Sequence, residues 1–336
     1  MAKPEGGARA LLVKLVSYSI LIFFVALCVY FNVRLGGRFL SADNIVNILQ
    51  QTAINTVIAV GMTFVIISGG IDLSVGAVLG VAGVLSMAAL KRADVTMQVE
   101  AAILIAAIVG ITAGGLAGAL NGIFITRFRV TPFIATLGMM GLAQGYGFVF
   151  TNAVPIFDLP KAFTDVIGSP SIKMGSLPSI PPLVPLALLV VAAGYVLLTR
   201  TSFGRKVYAV GGNQEAARLS GVNVNRTKMG VYIISGLLAG LSGFMFAAYV
   251  QAGDPKSGQM YEMNAIAAVV LGGTSLMGGV GSVMGTLLGA LVIGSLKIGL
   301  DQVGVSPYYQ MMVKGGVILL AVVLDQLKVR LTAQAK

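Results

Sequence analysis

Nine apolar runs, each meeting or nearly meeting the length a helix needs to cross a bilayer, succeed one another along this chain. They occupy residues 16–33, 45–67, 73–90, 101–126, 131–151, 183–199, 229–250, 283–300 and 308–327. A hydrocarbon core of about 30 Å takes roughly 20 apolar residues in helical form. A tenth run, 263–277, begins with Ala265-Ile266-Ala267-Ala268-Val269-Val270-Leu271 and dissolves into Gly272-Gly273-Thr274-Ser275, so a short or broken helix is expected there. Only 10% of the 336 residues are charged and 57% are hydrophobic. A water-facing surface normally carries about a quarter or more charge, so the expectation is an all-α integral membrane protein with about ten transmembrane helices. The first run follows basic residues, as a signal peptide would, but it is too long and lacks a small-x-small cleavage site; it is kept as a span.

The net charge of +11 finds its use in orientation. No basic cluster carries interleaved aromatics, so nucleic acid is not an expected partner. With both termini in the cytoplasm, residues 1–14, 127–129, 200–228 and 328–336 fall inside and hold 14 of the 23 Lys and Arg, against 7 in the outer loops. That bias follows the positive-inside rule. The remaining two, Lys297 and Lys314, lie within apolar runs. Lys314 reads as a snorkelling or bundle-paired residue.

Absences narrow the chemistry further. There is no His, which removes imidazole metal sites and His-centred acid–base catalysis. Cys28 has no partner for an intrachain disulfide and reads as a buried thiol. No stretch fits a phosphate-binding G-x-x-x-x-G-K-[ST] loop, so any ATP consumption requires another chain. No Ser/Lys pair, paired Asp or metal cluster suggests an intramembrane enzyme.

Glycines at 110, 114, 118 and 122, and again at 281, 285 and 289, recur every four residues and form strips that let another backbone approach closely. Packing inside one subunit is the expected use, a gliding or dimer face the alternative. Seven of the eleven prolines fall between Pro155 and Pro185. Proline fixes φ and removes a donor, so the external loop 152–182 is expected to be ordered or extended, with at most a short helix, and is a docking surface or a plain connection. Gly69-Gly70-Ile71-Asp72-Leu73 echoes Gly272-Gly273-Thr274-Ser275-Leu276, a hint of duplication.

Two regions carry candidate function. In the loop 200–228, Asn213 is a good helix N-cap, Glu215 suits the first turn and Gly221 is a natural stop, which predicts a helix of two turns. So short a helix needs packing to persist, and it reads either as a partner surface or as a turn resting on the lipid interface. Glu215 and Arg218, one helical turn apart, are placed to pair. The second region is Asp72, an acid near a span end without basic company. It is a functional candidate by default, together with Ser74; its other reading is the N-cap of the third span.

The residues Glu215-Ala216-Ala217 with Gly221 resemble the EAA loop of ABC importer permeases. The wider chain resembles the ribose-type sugar permeases, a branch that includes galactoside, xylose and arabinose systems. The similarity runs in order through Phe39-Leu40 to Gln51, Gly70-Ile71-Asp72-Leu73-Ser74-Val75-Gly76, Thr131-Pro132-Phe133-Ile134-Ala135-Thr136-Leu137-Gly138, Tyr261-Glu262 through Gly279, and Tyr308-Tyr309-Gln310. The resemblance implies a type II-like ABC permease bundle, residues 1–336 forming one transmembrane domain in the bacterial inner membrane. It implies a second permease copy or paralogue, a cytoplasmic ATPase that holds ATP and Mg, and a periplasmic or lipid-anchored sugar-binding protein, with no cofactor on this chain. Asn213, Gln214, Glu215, Ala216, Ala217, Arg218 and Gly221 then form the ATPase-coupling helix, with small Ala216 and Ala217 letting it sit close in a cleft. The resemblance implies an Asp where this chain has Asn264, so a charge is missing from that candidate pathway position. For a sugar, hydroxyl hydrogen bonds and ring faces matter, and Gln144, Tyr146, Phe148 and Asn152 on the fifth span, with Tyr309 and Gln310 on the last, supply amides and aromatics. Each has plain packing as its alternative. The rival readings are a branched-chain amino-acid permease of the same superfamily and an ion-coupled secondary transporter, the latter disfavoured by the shortage of buried acids and the lack of His.

Overall fold

A computed structural model describes residues 19–93, 98–157, 159–160, 163, 172–174 and 177–333. Among them are twelve helices and one hairpin: α1 Ser19–Arg34, α2 Ala42–Ile67, α3 Val75–Ala93, α4 Val99–Thr126, α5 Pro132–Thr151, β1 Ile172–Met174, β2 Leu177–Ile180, α6 Leu183–Arg200, α7 Ser202–Gly212, α8 Gln214–Leu219, α9 Val224–Val250, α10 Tyr261–Leu271, α11 Val283–Gln302 and α12 Pro307–Ala333. Seven of these, α2, α3, α4, α5, α6, α9 and α11, are long and apolar enough to span a membrane, and α10 is a shorter apolar helix. The expected break at 263–277 is there: α10 is 11 residues long and stops at Gly272.

Helix α2 forms the centre. Its most apolar stretch is 89% buried, against 22% for α4 and for α5. A helix apolar on every side belongs either inside the bundle or in lipid, and these three divide accordingly. Around α2 pack α9, α11, α6 and α10. The glycine strips resolve as packing within the subunit. On α4 the strip meets α9, where a Cβ added at Gly114 would run into the Gly236 carbonyl oxygen, and one at Gly236 into that of Gly114. The second strip meets α10: Gly285 lies on Gly272 and Gly289 on Ala268.

The echoed Gly-Gly strings adopt one shape. Helix α2 ends with Gly69 N–H on Ile66 O at 3.0 Å and Gly70 N–H on Val65 O at 3.0 Å; α10 ends with Gly273 N–H on Val270 O at 2.9 Å and Thr274 N–H on Val269 O at 3.1 Å. Gly69 (φ +76°) and Gly273 (φ +83°) both take the left-handed conformation such helix stops require. The two turns lie at the same end of the bundle, since Gly279 N–H donates to Ile67 O at 2.8 Å.

Three local expectations need correction. The N-cap of α3 is Ser74, whose carbonyl accepts from Val78 N–H at 2.8 Å, and Asp72 lies two residues upstream. The loop 200–228 holds a full helix, α7, before the short one; its amphipathic pattern was hidden by Gly204, Gly211 and Gly212, which read as loop residues. Helix α9 starts at Val224, with Asn223 accepting Arg226 N–H at 3.0 Å, so the basic stretch before the apolar run is already helical. Within 152–182 the described residues include an antiparallel hairpin, Ile172 opposite Ile180 and Met174 opposite Leu177. The termini 1–18 and 334–336, and Asp158, Lys161 and Asp165 of the 152–182 loop, lie outside the described residues.

Candidate functional site

Helix α7 is fixed under the bundle. Thr201 caps it, accepting Gly204 N–H at 3.2 Å. Val207 and Val210 are buried. Phe203 stacks near Phe64 of α2 with ring centroids 6.4 Å apart. Tyr208 donates to Gly281 O at 2.7 Å, and burial pushes its hydroxyl above the ordinary tyrosine value, so it stays a donor. A Cβ at Gly211 would overlap Ile67 O and crowd Gly279 N, so α7 touches the end of α2 and the 278–279 turn through bare backbone.

From that base projects α8. Asn213 accepts Ala216 N–H at 2.9 Å, the N-cap geometry read from the sequence. Gly221 (φ +81°) ends the helix, with Gly221 N–H on Arg218 O and Val222 N–H on Ala217 O, both at 3.0 Å. Glu215 and Arg218 face each other at 3.7 Å, both exposed, a pairing worth little to stability. Lys228 ties Gln214 back at 2.7 Å. The two alanines separate: Ala216 is exposed, whereas Ala217 is buried with Val210 and Val224 and is unavailable to a partner. Leu219 is 87% exposed, an apolar tip the sequence reading passed over.

Two cavities open far from this surface. One, about 200 Å³, lies among α2, α10, α11 and α12 and is lined by Gln51, Thr52, Asn55, Gln259, Met260, Tyr261, Asn264, Ile293, Gly294, Lys297 and Lys314. Its neighbour, about 360 Å³, is lined by Ala77, Met140, Gln144, Pro255, Gly258, Gln259, Met260, Glu262 and Met311. They share Gln259 and Met260, the latter a non-glycine residue at φ +69° immediately before α10. Such backbone persists only where its surroundings enforce it. Gln51 and Ile67 are 16 residues apart on α2, which at 1.5 Å per residue sets the first cavity about 24 Å from the α7 contact.

Of the residues singled out by sequence, Asn264 and Gln144 line these cavities. Asp72 and Ser74 do not: both are buried towards the α7 end, where Asp72 Oδ1 accepts from Ser74 N–H (3.0 Å) and Oγ (2.6 Å), and Asn121 donates to Ser74 Oγ at 2.9 Å. Tyr146 is exposed and stacks on Phe150. Phe148 is half-buried, and Asn152 is the left-handed C-cap of α5. Tyr309 is exposed, and Gln310 is buried, donating to Asp301 Oδ1 at 2.7 Å and Val305 O at 2.8 Å as a clamp at the α11–α12 turn. Sequence reasoning missed Gln51, Asn55, Gln259 and Lys297. The i, i+4 spacing of Gln51 and Asn55 on a helix long and apolar enough to span a membrane was the available signal.

A polytopic bundle with polar cavities between its helices and a small capped helix at one end is a multi-pass membrane permease. The chain belongs to the permease family described as "Branched-chain amino acid transport system / permease component", whose pattern matches residues 44–322. It is similar to the "Ribose import permease protein RbsC" of Escherichia coli (strain K12), 45% identical over 294 residues that cover 88% of this chain and 89% of the relative. The protein of that name from Bacillus subtilis (strain 168) is 44% identical over 295 residues, 88% of each chain. The "Xylose transport system permease protein XylH" of E. coli (strain K12) is 35% identical over 356 aligned positions, covering 90% of this chain and 89% of the relative. These relatives are transport permeases, so the chain is a permease and not an enzyme. No solved structure matches.

Proposed function

We propose that this chain is the transmembrane subunit of an ATP-driven importer and forms the pathway for a monosaccharide. The names of the relatives support the sugar class over an amino acid, although the family's description carries the latter. The observation that carries the mechanism is α8: a capped, exposed two-turn helix held on α7, which touches the end of α2 and the 278–281 turn. Residues 1–336 act as one domain of ten spans in a type II-like bundle, α1, α10 and α12 joining the seven long apolar helices. The chain sits in the inner membrane with both termini cytoplasmic and pairs with a second copy or a paralogue. Asn213 to Gly221 meet a cytoplasmic ATPase, which binds the ATP and Mg. A periplasmic or lipid-anchored sugar-binding protein delivers substrate at the cavity end.

Closure of the ATPase then displaces α8 and α7 together, and the backbone contact of Gly211 with Ile67 passes that displacement to α2, whose other half walls the first cavity. Transport needs two arrangements of the helices biased by the partner, not chemistry on this chain. The test is uptake of labelled ribose and xylose into proteoliposomes holding this chain, a candidate ATPase and a binding protein. ATP-dependent uptake lost in Glu215→Lys is expected; uptake of equal rate without ATP overturns the reading.

A further inference from the structure

The cavity among α2, α10, α11 and α12 combines two features, the first of which no neutral sugar explains. Lys297 and Lys314, from different helices, both border it, and no carboxylate does. Among the described residues neither ammonium has an acid within ion-pair distance. Asp301, one turn along α11 from Lys297, already accepts a hydrogen bond from Gln310. It offsets one of the two positive charges and leaves the wall net positive. The second feature is uncommitted polarity. Asn55 is only 7% exposed, yet neither its amide nitrogen nor its amide oxygen has a hydrogen-bond partner, and the Thr52 hydroxyl beside it has none either. Leaving such groups unpaired in a buried setting is costly. Exposed Lys297, whose ammonium donates to Gln51 Oε1 at 3.5 Å, and half-buried Lys314 add positive charge at the cavity wall that no acid pairs with among the described residues.

We propose that this cavity is a binding site for an anionic sugar, a uronate or aldonate whose carboxylate sits between Lys297 and Lys314 while its hydroxyls engage Asn55, Thr52 and Asn264. The proposal rests on the importer reading and narrows its substrate class. A carboxylate meets the two ammonium groups with charge-assisted hydrogen bonds. A hydroxyl both donates and accepts, which is what an amide with both atoms free demands. At about 200 Å³, against about 30 Å³ for each water in the liquid, the space suits one small polar molecule.

Isothermal titration of the full chain in lipid nanodiscs, with D-galacturonate, D-ribose and D-xylose as probes, tests this. Galacturonate is expected to bind at least about ten-fold more tightly than ribose and to weaken with added NaCl. Lys297→Gln and Lys314→Gln should each cost about ten-fold for galacturonate with ribose unchanged, and Lys314→Arg should restore binding. Asn55→Ala should weaken every probe. Melting temperatures matching the parent exclude misfolding as the cause. Ribose binding as tightly as galacturonate, or galacturonate binding indifferent to both glutamine variants, overturns the anionic class. If ribose then still depends on Asn55, the importer reading stands while this proposal falls. Binding of none of the probes also overturns the site, and the uptake assay decides the importer reading separately.

Discussion

Ser235, eleven residues into α9, donates its hydroxyl to Asp72 Oδ2 at 2.8 Å, across 163 residues of sequence. Asp72 is buried, and its other oxygen is taken by Ser74. The pair ties the turn after α2 to α9. Ser235→Ala leaves a buried acceptor unmet and should cost about 1–3 kcal/mol, read as a lower melting temperature in nanodiscs. Asp72→Ala should cost more, because it also frees Ser74. A double-mutant cycle between the two positions is expected to give a coupling of about 0.5–3 kcal/mol; additive losses would show that the contact does not form.

Glycines on α4 and α5 should respond oppositely to the same change. Gly114→Ala forces a methyl group into the Gly236 carbonyl, and overpacking of this kind costs about 1–3 kcal/mol. Nothing lies within 4 Å of a Cβ at Gly138, so Gly138→Ala should be neutral or slightly stabilising, as helix propensity predicts. Thermal inactivation of the two variants beside the parent checks the contrast.

Asn213 is expected to matter beyond its own helix. Asn213→Ala removes the bond to Ala216 N–H and should destabilise α8 by about 1 kcal/mol, seen as faster amide exchange at 216–219. On the coupling reading it also lowers sugar uptake without changing the melting temperature of the bundle. Asn213→Ser, which retains the cap, should recover both.

Tyr208 gives a pH signature. Its hydroxyl donates to Gly281 O, and burial raises its titration above the ordinary value of 10.0. A group raised in the folded state stabilises fully below its unfolded value, and that contribution is lost as pH climbs through the folded one. Tyr208→Phe should therefore melt lower than the parent at neutral pH by the loss of one hydrogen bond, about 1 kcal/mol. The difference should shrink above about pH 10. A gap constant with pH would show that folding does not raise the hydroxyl's titration, and no gap at neutral pH would show that the hydrogen bond contributes nothing.

Orientation is open to direct measurement. Val154 is 62% exposed after α5 and Leu219 is 87% exposed on α8. In a Cys28→Ala background, Val154→Cys should react with an impermeant thiol reagent only from outside the cell and Leu219→Cys only in everted vesicles. Labelling of both from one side would reverse the proposed topology.

What could be read from the sequence tracks how local each feature is. The Asn213 cap and Gly221 stop depend on residues within one turn, and they stand as the sequence predicts. The strip from Gly110 to Gly122 announced a close neighbour because four-residue spacing puts every member on one face, though only the fold names α9 as that neighbour. Asp72 was harder: an acid before an apolar run looks like a cap, and only Ser235, brought from far away, shows that its carboxylate is held from two sides. The cavity was least legible, since Gln51, Asn264 and Lys297 come from three helices and no motif joins them. Helix α7 was hidden because two of its glycines, Gly204 and Gly211, are there for contact with Leu198 O, Ile67 O and Gly279 N rather than for flexibility.

The mutual seating of Gly114 and Gly236 has a mechanical corollary. Helices that meet through side chains can slide or roll, because rotamers act as a deformable layer. Where α4 and α9 meet, carbonyl oxygen lies in the space a methyl would fill on the facing helix, and that layer is missing. The two are keyed like a shaft and its hub and must travel as one piece. Any cycle of opening and closing is left to the helices that still have side chains to shear, and α2, walled on one flank by that rigid unit, has its freedom on the flank that borders the cavity.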